Sequence, residues 1–362
     1  MRDLRISVLV LMTVLICVGI VMIFSSSGVY ALQELGSSYY FLSRHLLFLL
    51  MGAILMVAFM AIDYRELRRF AKPILLIAIF SLVLVLIPFI GKEINGARRW
   101  FRLGFISIQP SEFTKIAVLI YVADFLSRKH NKIRDFREGF LPIMLMLGVV
   151  CLLILKQPDM GTALFIAAVV LILIFVAGAR LLHLGLIVLL SLPLIYLLIA
   201  KVAYRMHRIM AFLDPWQDSQ GVGFQLSQSQ IAIGSGGLFG LGLGKSMQKL
   251  FYLPAAHTDF IFSIIGEEMG LLGTSAIILL FVLLIWQCAR IAKRITYSFG
   301  YFLSVGIVAM LGLQAVINLG VSIGALPTKG LPLPFISYGG SALMVDMIAV
   351  GLLLNISRTQ EL

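Results

Sequence analysis

A carboxylate at the mouth of an apolar run is the first place in this chain where chemistry is possible. Asp259, in His257-Thr258-Asp259-Phe260, precedes a long apolar stretch, where it can meet water and take a proton from a hydroxyl. Ionisable residues in or beside such stretches are costly unless paired or hydrated, which makes them candidates for function. The competing reading is an N-cap that complements the helix dipole. His257 has no second ligand nearby and fits a hydrogen-bonding partner better than a metal site. Glu267 lies about 12 Å deeper than Asp259 along a helix, so it and Glu268 are expected to pair within the protein or face the far side.

Cations and turn residues make up the other candidates. Arg98 and Arg99 beside Trp100, in Asn95-Gly96-Ala97-Arg98-Arg99-Trp100-Phe101, suit a phosphate or pyrophosphate held at a membrane interface. In Gln109-Pro110-Ser111-Glu112-Phe113-Thr114-Lys115, Ser111 is placed to cap a helix, and Glu112 and Lys115 share one helix face. A structural ion pair and an anion-binding role both account for that spacing. Asp159, in Lys156-Gln157-Pro158-Asp159-Met160-Gly161-Thr162, either caps the next helix or binds ligand. From Asn318 to Ser341, the Pro- and Gly-rich stretch containing Lys329 and Ser337 implies a re-entrant loop lining a cavity, because unpaired backbone is not tolerated against lipid. The run Gly234, Gly236, Gly237, Gly240, Gly242, Gly244 lacks the strand-turn-helix setting of a dinucleotide site and reads as close backbone packing or a flexible loop.

The elements that must position these residues follow from composition. Of 362 residues, 60% are hydrophobic and only 13% charged, with a mean hydropathy of +1.04. That excludes an ordinary soluble domain and predicts an all-α integral membrane protein of about ten transmembrane helices, read as one domain over residues 1–362. The helices are expected near 6–25, 46–62, 73–90, 111–127, 140–156, 161–179, 181–200, 259–287 with a break at Gly270, 301–322 and 341–356. The first run is too long for a signal peptide and is read as a retained helix. No alternation of a membrane barrel is present. Cys17, Cys151 and Cys288 sit in or beside apolar runs and form neither a disulfide framework nor a metal motif.

Basic residues set the orientation. Arg65, Arg68, Arg69 and Lys72, the cluster Arg128 to Arg137, and Arg290, Lys293 and Arg294 follow alternate spans, which makes both termini cytoplasmic. The bias is modest, because Lys92, Arg98, Arg99 and Arg102 and then Lys201, Arg205, Arg208, Lys245 and Lys249 fall on the other side, the second group in a large extracytoplasmic loop between helices seven and eight. An anionic ligand on that side accounts for them; so does the exemption of long loops from the charge rule. The isoelectric point of 9.8 reflects this topology and does not point to nucleic acid.

Taken together, the motifs around Arg98-Arg99-Trp100, Gln109-Pro110-Ser111-Glu112, Gln157-Pro158-Asp159-Met160-Gly161-Thr162, Gly234-Ser235-Gly236-Gly237-Leu238-Phe239-Gly240, His257-Thr258-Asp259-Phe260-Ile261-Phe262 and Leu333-Pro334-Phe335-Ile336-Ser337-Tyr338-Gly339-Gly340-Ser341 resemble the SEDS family of bacterial wall synthesis (shape, elongation, division and sporulation) over essentially the whole chain. The double arginine, Ala211-Phe212-Leu213-Asp214-Pro215-Trp216 and Gly266 before Glu267-Glu268 look more like the division branch than the elongation branch. One departure is Pro254-Ala255-Ala256, where family members often carry an acidic residue after the proline.

The resemblance implies a cell-membrane glycosyltransferase that polymerises lipid II, the undecaprenyl-pyrophosphate-linked disaccharide pentapeptide, on the extracytoplasmic side. It further implies a class B penicillin-binding protein as partner, with other divisome proteins if the division branch is right, and Asp259 as the essential acid. Asp259 would act as base on the acceptor hydroxyl, with Arg98, Arg99, Lys115 and Lys329 steadying the leaving pyrophosphate. Trp100, Glu112, Asp159, His257, Asn318, Ser337 and Ser341 complete the expected substrate-binding set. The sequence establishes no cofactor; a magnesium or manganese ion at the pyrophosphate stays open, although no clustered carboxylate site is evident. A lipid II flippase, an elongation-branch polymerase and a non-catalytic scaffold are the rival readings. Corresponding broken helices in two inverted halves would favour a flippase, and no such repeat is visible.

Overall fold

A computed structural model of the chain describes residues 1–94, 96–104, 106–218, 221, 223–250 and 252–359; Asn95 of the arginine motif lies outside them. Helices dominate. Seven of those described are long and apolar enough to cross a membrane, and two more, α4 (Ala71–Leu84) and α7 (Met160–Val176), are apolar but shorter. Each apolar run in the sequence has a helical counterpart: α1 (Arg2–Leu35), α2 (Tyr40–Ala61), α4, α5 (Pro110–Lys129), α6 (Leu141–Lys156), α7, α8 (Leu181–Ala200), α11 (Ile261–Ala292), α12 (Ser298–Ser322) and α13 (Gly340–Thr359), with the short α3 (Tyr64–Arg69) after α2. At its centre α13, almost wholly buried, packs on α2 and contacts α5 and α12. By contrast α8 has no buried residue and touches mainly α7 and α9 (Ala203–Leu213).

Three expectations are corrected. Helix three ends at Leu84 rather than near 90, because Pro88 follows within a turn and cannot continue the backbone ladder. The architecture is not purely helical: β1 (Gly91–Ile94), β2 (Ala97–Leu103) and β3 (Ile106–Ile108) form an antiparallel sheet in the order β1-β2-β3. Ile94 pairs with Ala97 across Asn95-Gly96, a dipeptide that is itself a strong hairpin signal in sequence. The segment 201–258, expected as a loop, contains the amphipathic α9 and also α10 (Phe224–Ser235), which packs against α11 and α12.

The predicted break in α11 is present, with Gly270 at φ 66° and ψ −163°. Its freed backbone groups are recovered by the glycine-rich segment: Leu271 N donates to Gly237 O at 2.9 Å, and Leu241 N to Glu267 O at 2.9 Å. Contact is so close that a Cβ on Gly236 would meet Gly266 O at 1.9 Å. Gly236→Ala is therefore expected to lower stability by about 2–3 kcal/mol through overpacking and lost backbone hydrogen bonds, readable as a fall in the thermal unfolding midpoint. Glu267 and Glu268 pair internally. Glu267 accepts from Met247 N at 2.8 Å and from the Ser246 hydroxyl, while Glu268 binds Lys249 Nζ at 2.7 Å and the Ser25 hydroxyl. This corrects the expectation that Lys249 faces an outer anion: both members of the pair are buried, since an isolated charge there would be costly.

Candidate active site

Asp259 lies in the turn just before α11, whose N-cap is Phe260 and which receives no side-chain cap. The capping alternative is thereby removed, and the carboxylate is left available. Asn318, near the end of α12, holds the local backbone: its Nδ2 donates to Asp259 O at 2.9 Å and to Leu331 O at 2.8 Å. One amide thus joins α12, the start of α11 and the segment between α12 and α13. Along that segment, Thr328 O accepts from Arg208 Nη1 at 3.3 Å, and Gly330 sits where an added Cβ would come 3.4 Å from Asp259 Oδ2. Burial pushes the Asp259 carboxyl up to about 6, and the positive charge of Arg208 pulls in the opposite direction. Such a group is mostly ionised at neutral pH yet basic enough to accept a proton.

Lys329 projects to the other side of the same segment. Its stem lies beside Gly161, where an added Cβ would be 3.8 Å from Lys329 Cβ and 3.8 Å from Asp159 Oδ1. Burial holds the Lys329 ammonium below the usual lysine range. Asp159 caps α7, accepting from Thr162 N at 3.1 Å and from Thr162 Oγ1 at 2.9 Å, so the capping reading is correct for it. Arg99 reaches across from β2, donating from Nε to Gln157 O at 2.8 Å and from Nη2 to Pro158 O at 2.6 Å, with Nη1 3.9 Å from Asp159 Oδ2. The Arg99 side chain remains about one-third exposed. Arg99, Asp159 and Lys329 therefore gather on one flank of the irregular 327–331 segment, and Asp259 and Arg208 on the other.

The remaining candidates are placed elsewhere. Arg98 pairs with Glu93 at 3.1 Å on the exposed hairpin, and Trp100 is in register with Lys92. Glu112 and Lys115 form a buried pair at 2.8 Å, with Lys115 Nζ 4.9 Å from the Phe165 ring centroid. Ser111 does not cap α5, which starts at Pro110; its hydroxyl accepts from Gln109 Nε2 instead. Ser341 Oγ accepts from Gln109 N at 3.0 Å and Ser337 Oγ from Leu333 N at 2.9 Å, so both hold backbone. His257 packs on Phe41, 4.4 Å between centroids, and its carbonyl accepts from Tyr338 N; burial lowers its imidazole to about 4, leaving it neutral.

Two contributors lay outside the expected site set. Arg208 was visible only as one of several loop cations. Asp346, deep in α13, accepts from Gln314 Nε2 at 3.4 Å and feels the charges of Lys115 and Glu112; a lone carboxylate inside an apolar run was the signal for it. Among the described residues no group of three or more His, Cys, Asp or Glu side chains converges to hold a metal ion.

A multi-pass helical membrane protein with a carboxylate and cations gathered around the segment between α12 and α13 is the class defined by this arrangement. More narrowly, the chain belongs to the FtsW/RodA/SpoVE family of cell cycle proteins, whose model matches residues 5–362. It is 47% identical over 350 residues to the probable peptidoglycan glycosyltransferase FtsW of Geobacter sulfurreducens, covering 97% of this chain and 94% of that protein. It is 45% identical over 351 residues to the stage V sporulation protein E of Bacillus subtilis, covering 97% and 96%. Among solved structures, it matches a chain of a peptidoglycan synthase complex that coordinates polymerisation and crosslinking, with a TM-score of 0.78, 30% identity and coverage of 98% and 97%. The rod shape determining protein RodA of Thermus thermophilus matches with a TM-score of 0.73, 29% identity and the same coverage.

Proposed function

We propose that the chain is a peptidoglycan glycosyltransferase that polymerises lipid II in septal wall synthesis. The observation that carries the reading is the uncapped Asp259 carboxylate, set against Gly330 in a turn flanked by Arg208 and Lys329. The acceptor GlcNAc 4-hydroxyl attacks C1 of the donor MurNAc as Asp259 takes its proton. The bond from C1 to the pyrophosphate oxygen breaks with inversion, and undecaprenyl pyrophosphate leaves as an anion. It needs charge stabilisation rather than an acid; Arg99 and Lys329 supply this, with Arg208 also tuning the base. Asn318 is a positioning residue. No cofactor takes part, and a divalent cation enters only as a counter-ion carried by the pyrophosphate.

The same reading makes the whole chain one unit in the bacterial cell membrane, with ten spans, both termini cytoplasmic and the 201–258 segment and Asp259 extracytoplasmic. The basic residues after alternate spans support it. A class B penicillin-binding protein is the partner, with other divisome proteins around it; likeness to a chain of a synthase complex supports a partner of that kind. The test is polymerisation of labelled lipid II by the purified protein with a partner whose transpeptidase site is inactive. Long glycan supports the proposal; transbilayer movement of lipid II without glycan supports a flippase instead.

Arg208 offers a sharper check. Its charge favours the ionised form of Asp259, so Arg208→Gln is expected to move the acidic limb of the rate-pH profile upward from about 6. An unmoved limb with a uniformly lower rate would restrict Arg208 to substrate binding.

A further inference from the structure

A second polar site lies on the opposite face of the bundle. An open groove of about 650 Å³ is enclosed by the end of α2, α3, the start of α4, the end of α5 and the turn before α12. Tyr297, which lines it, and Asn318, which holds Asp259, stand near opposite ends of the 25-residue α12, about 30 Å apart at helical rise. The groove is therefore separate from the Asp259 site by roughly the thickness of a bilayer core.

Its cations outnumber its carboxylates, and the carboxylates are already committed. Asp63 caps α3 through Arg65 N at 2.9 Å; Asp124 is shared by Arg68 at 3.2 Å and Arg128 at 2.6 Å; Glu66 pairs with Arg69 at 3.0 Å. Arg65 and Lys72 line the groove with no ion pair to a carboxylate among the described residues. The Arg65 guanidinium instead lies 6.0 Å from the Tyr64 and Tyr297 ring centroids, which orients its donors without neutralising it. Ile62 and Phe70, 49% and 55% exposed, flank α3 where the apolar helix α2 ends and α4 begins. A phosphate with attached acyl chains matches both features: arginine and lysine for the anion, Ile62 and Phe70 for the chains. A zwitterionic headgroup would bring a further cation to a surface already in excess of them.

We infer that this groove binds the headgroup of an anionic phospholipid. Native mass spectrometry of the detergent-solubilised full chain, titrated separately with phosphatidylglycerol, phosphatidylcholine and inorganic phosphate, tests it. The wild type is expected to retain phosphatidylglycerol in preference to phosphatidylcholine. The double variant Arg65→Glu, Lys72→Glu should weaken phosphatidylglycerol by at least about thirty-fold at an unchanged melting temperature, since neither side chain supports an ion pair. The charge-matched variant Arg290→Glu, Lys293→Glu, on exposed residues at the end of α11 outside the groove, should leave binding unchanged. Equal loss in both double variants would overturn the site in favour of general charge attraction. Undiminished phosphatidylglycerol binding in the groove variant would overturn it and leave the groove to an acidic protein segment. Inorganic phosphate bound as tightly as the lipid would replace it with a free-anion site.

Discussion

Asp259→Asn is expected to lower lipid II polymerisation by at least about a thousand-fold, the scale on which removing a positioned general base acts, while leaving partner binding intact. Because burial raises the carboxyl to about 6, wild-type activity should fall as pH drops through that value and level off above it. The stability consequence has the opposite sense. Between the unfolded value of 3.8 and the folded value of about 6 the folded protein binds the extra proton, so folding stability declines as pH rises through this window and the deficit persists above it. Asn removes the buried charge and should stabilise the protein by up to about 3 kcal/mol at pH 8, with little gain at pH 4. A variant that still makes glycan at the wild-type rate would return Asp259 to a structural role. Lost activity with an unfolded protein would count equally against the proposed division between chemistry and stability.

Lys115→Met is expected to destabilise the protein by about 3–5 kcal/mol without changing the KM for lipid II. Lys115 is 2% exposed and Glu112 6% exposed. Removing the ammonium leaves the Glu112 carboxylate buried without its partner, in a setting too dry to screen it. The double variant Glu112→Leu, Lys115→Met should recover much of the loss, because it withdraws both buried charges together. Thermal unfolding in one detergent across the set measures this. Were Lys115→Met to keep its melting temperature and raise KM, the pair would belong to the substrate site.

Much of the architecture was legible in local sequence. Apolar runs long enough for a bilayer core mark helices wherever they occur, and Gly270 was readable as a break because no partner is needed to make glycine a poor helix former. Asp259, Asp159 and Lys329 were visible for the same reason: a charge stands out against apolar neighbours. The β1-β2 hairpin also has a local signal in Asn95-Gly96, which reading that stretch only as an anion clamp passes over. The partners of these charges required tertiary structure. Arg208 meets Thr328 and acts on Asp259, Lys249 finds Glu268 and Ser25, and Gln314 reaches Asp346. Each association joins residues on different elements, and each depends on the direction in which a helix turns a given side. Helices that are apolar all round carry little information about that rotation. It is decided by packing and by the cost of leaving a buried charge alone.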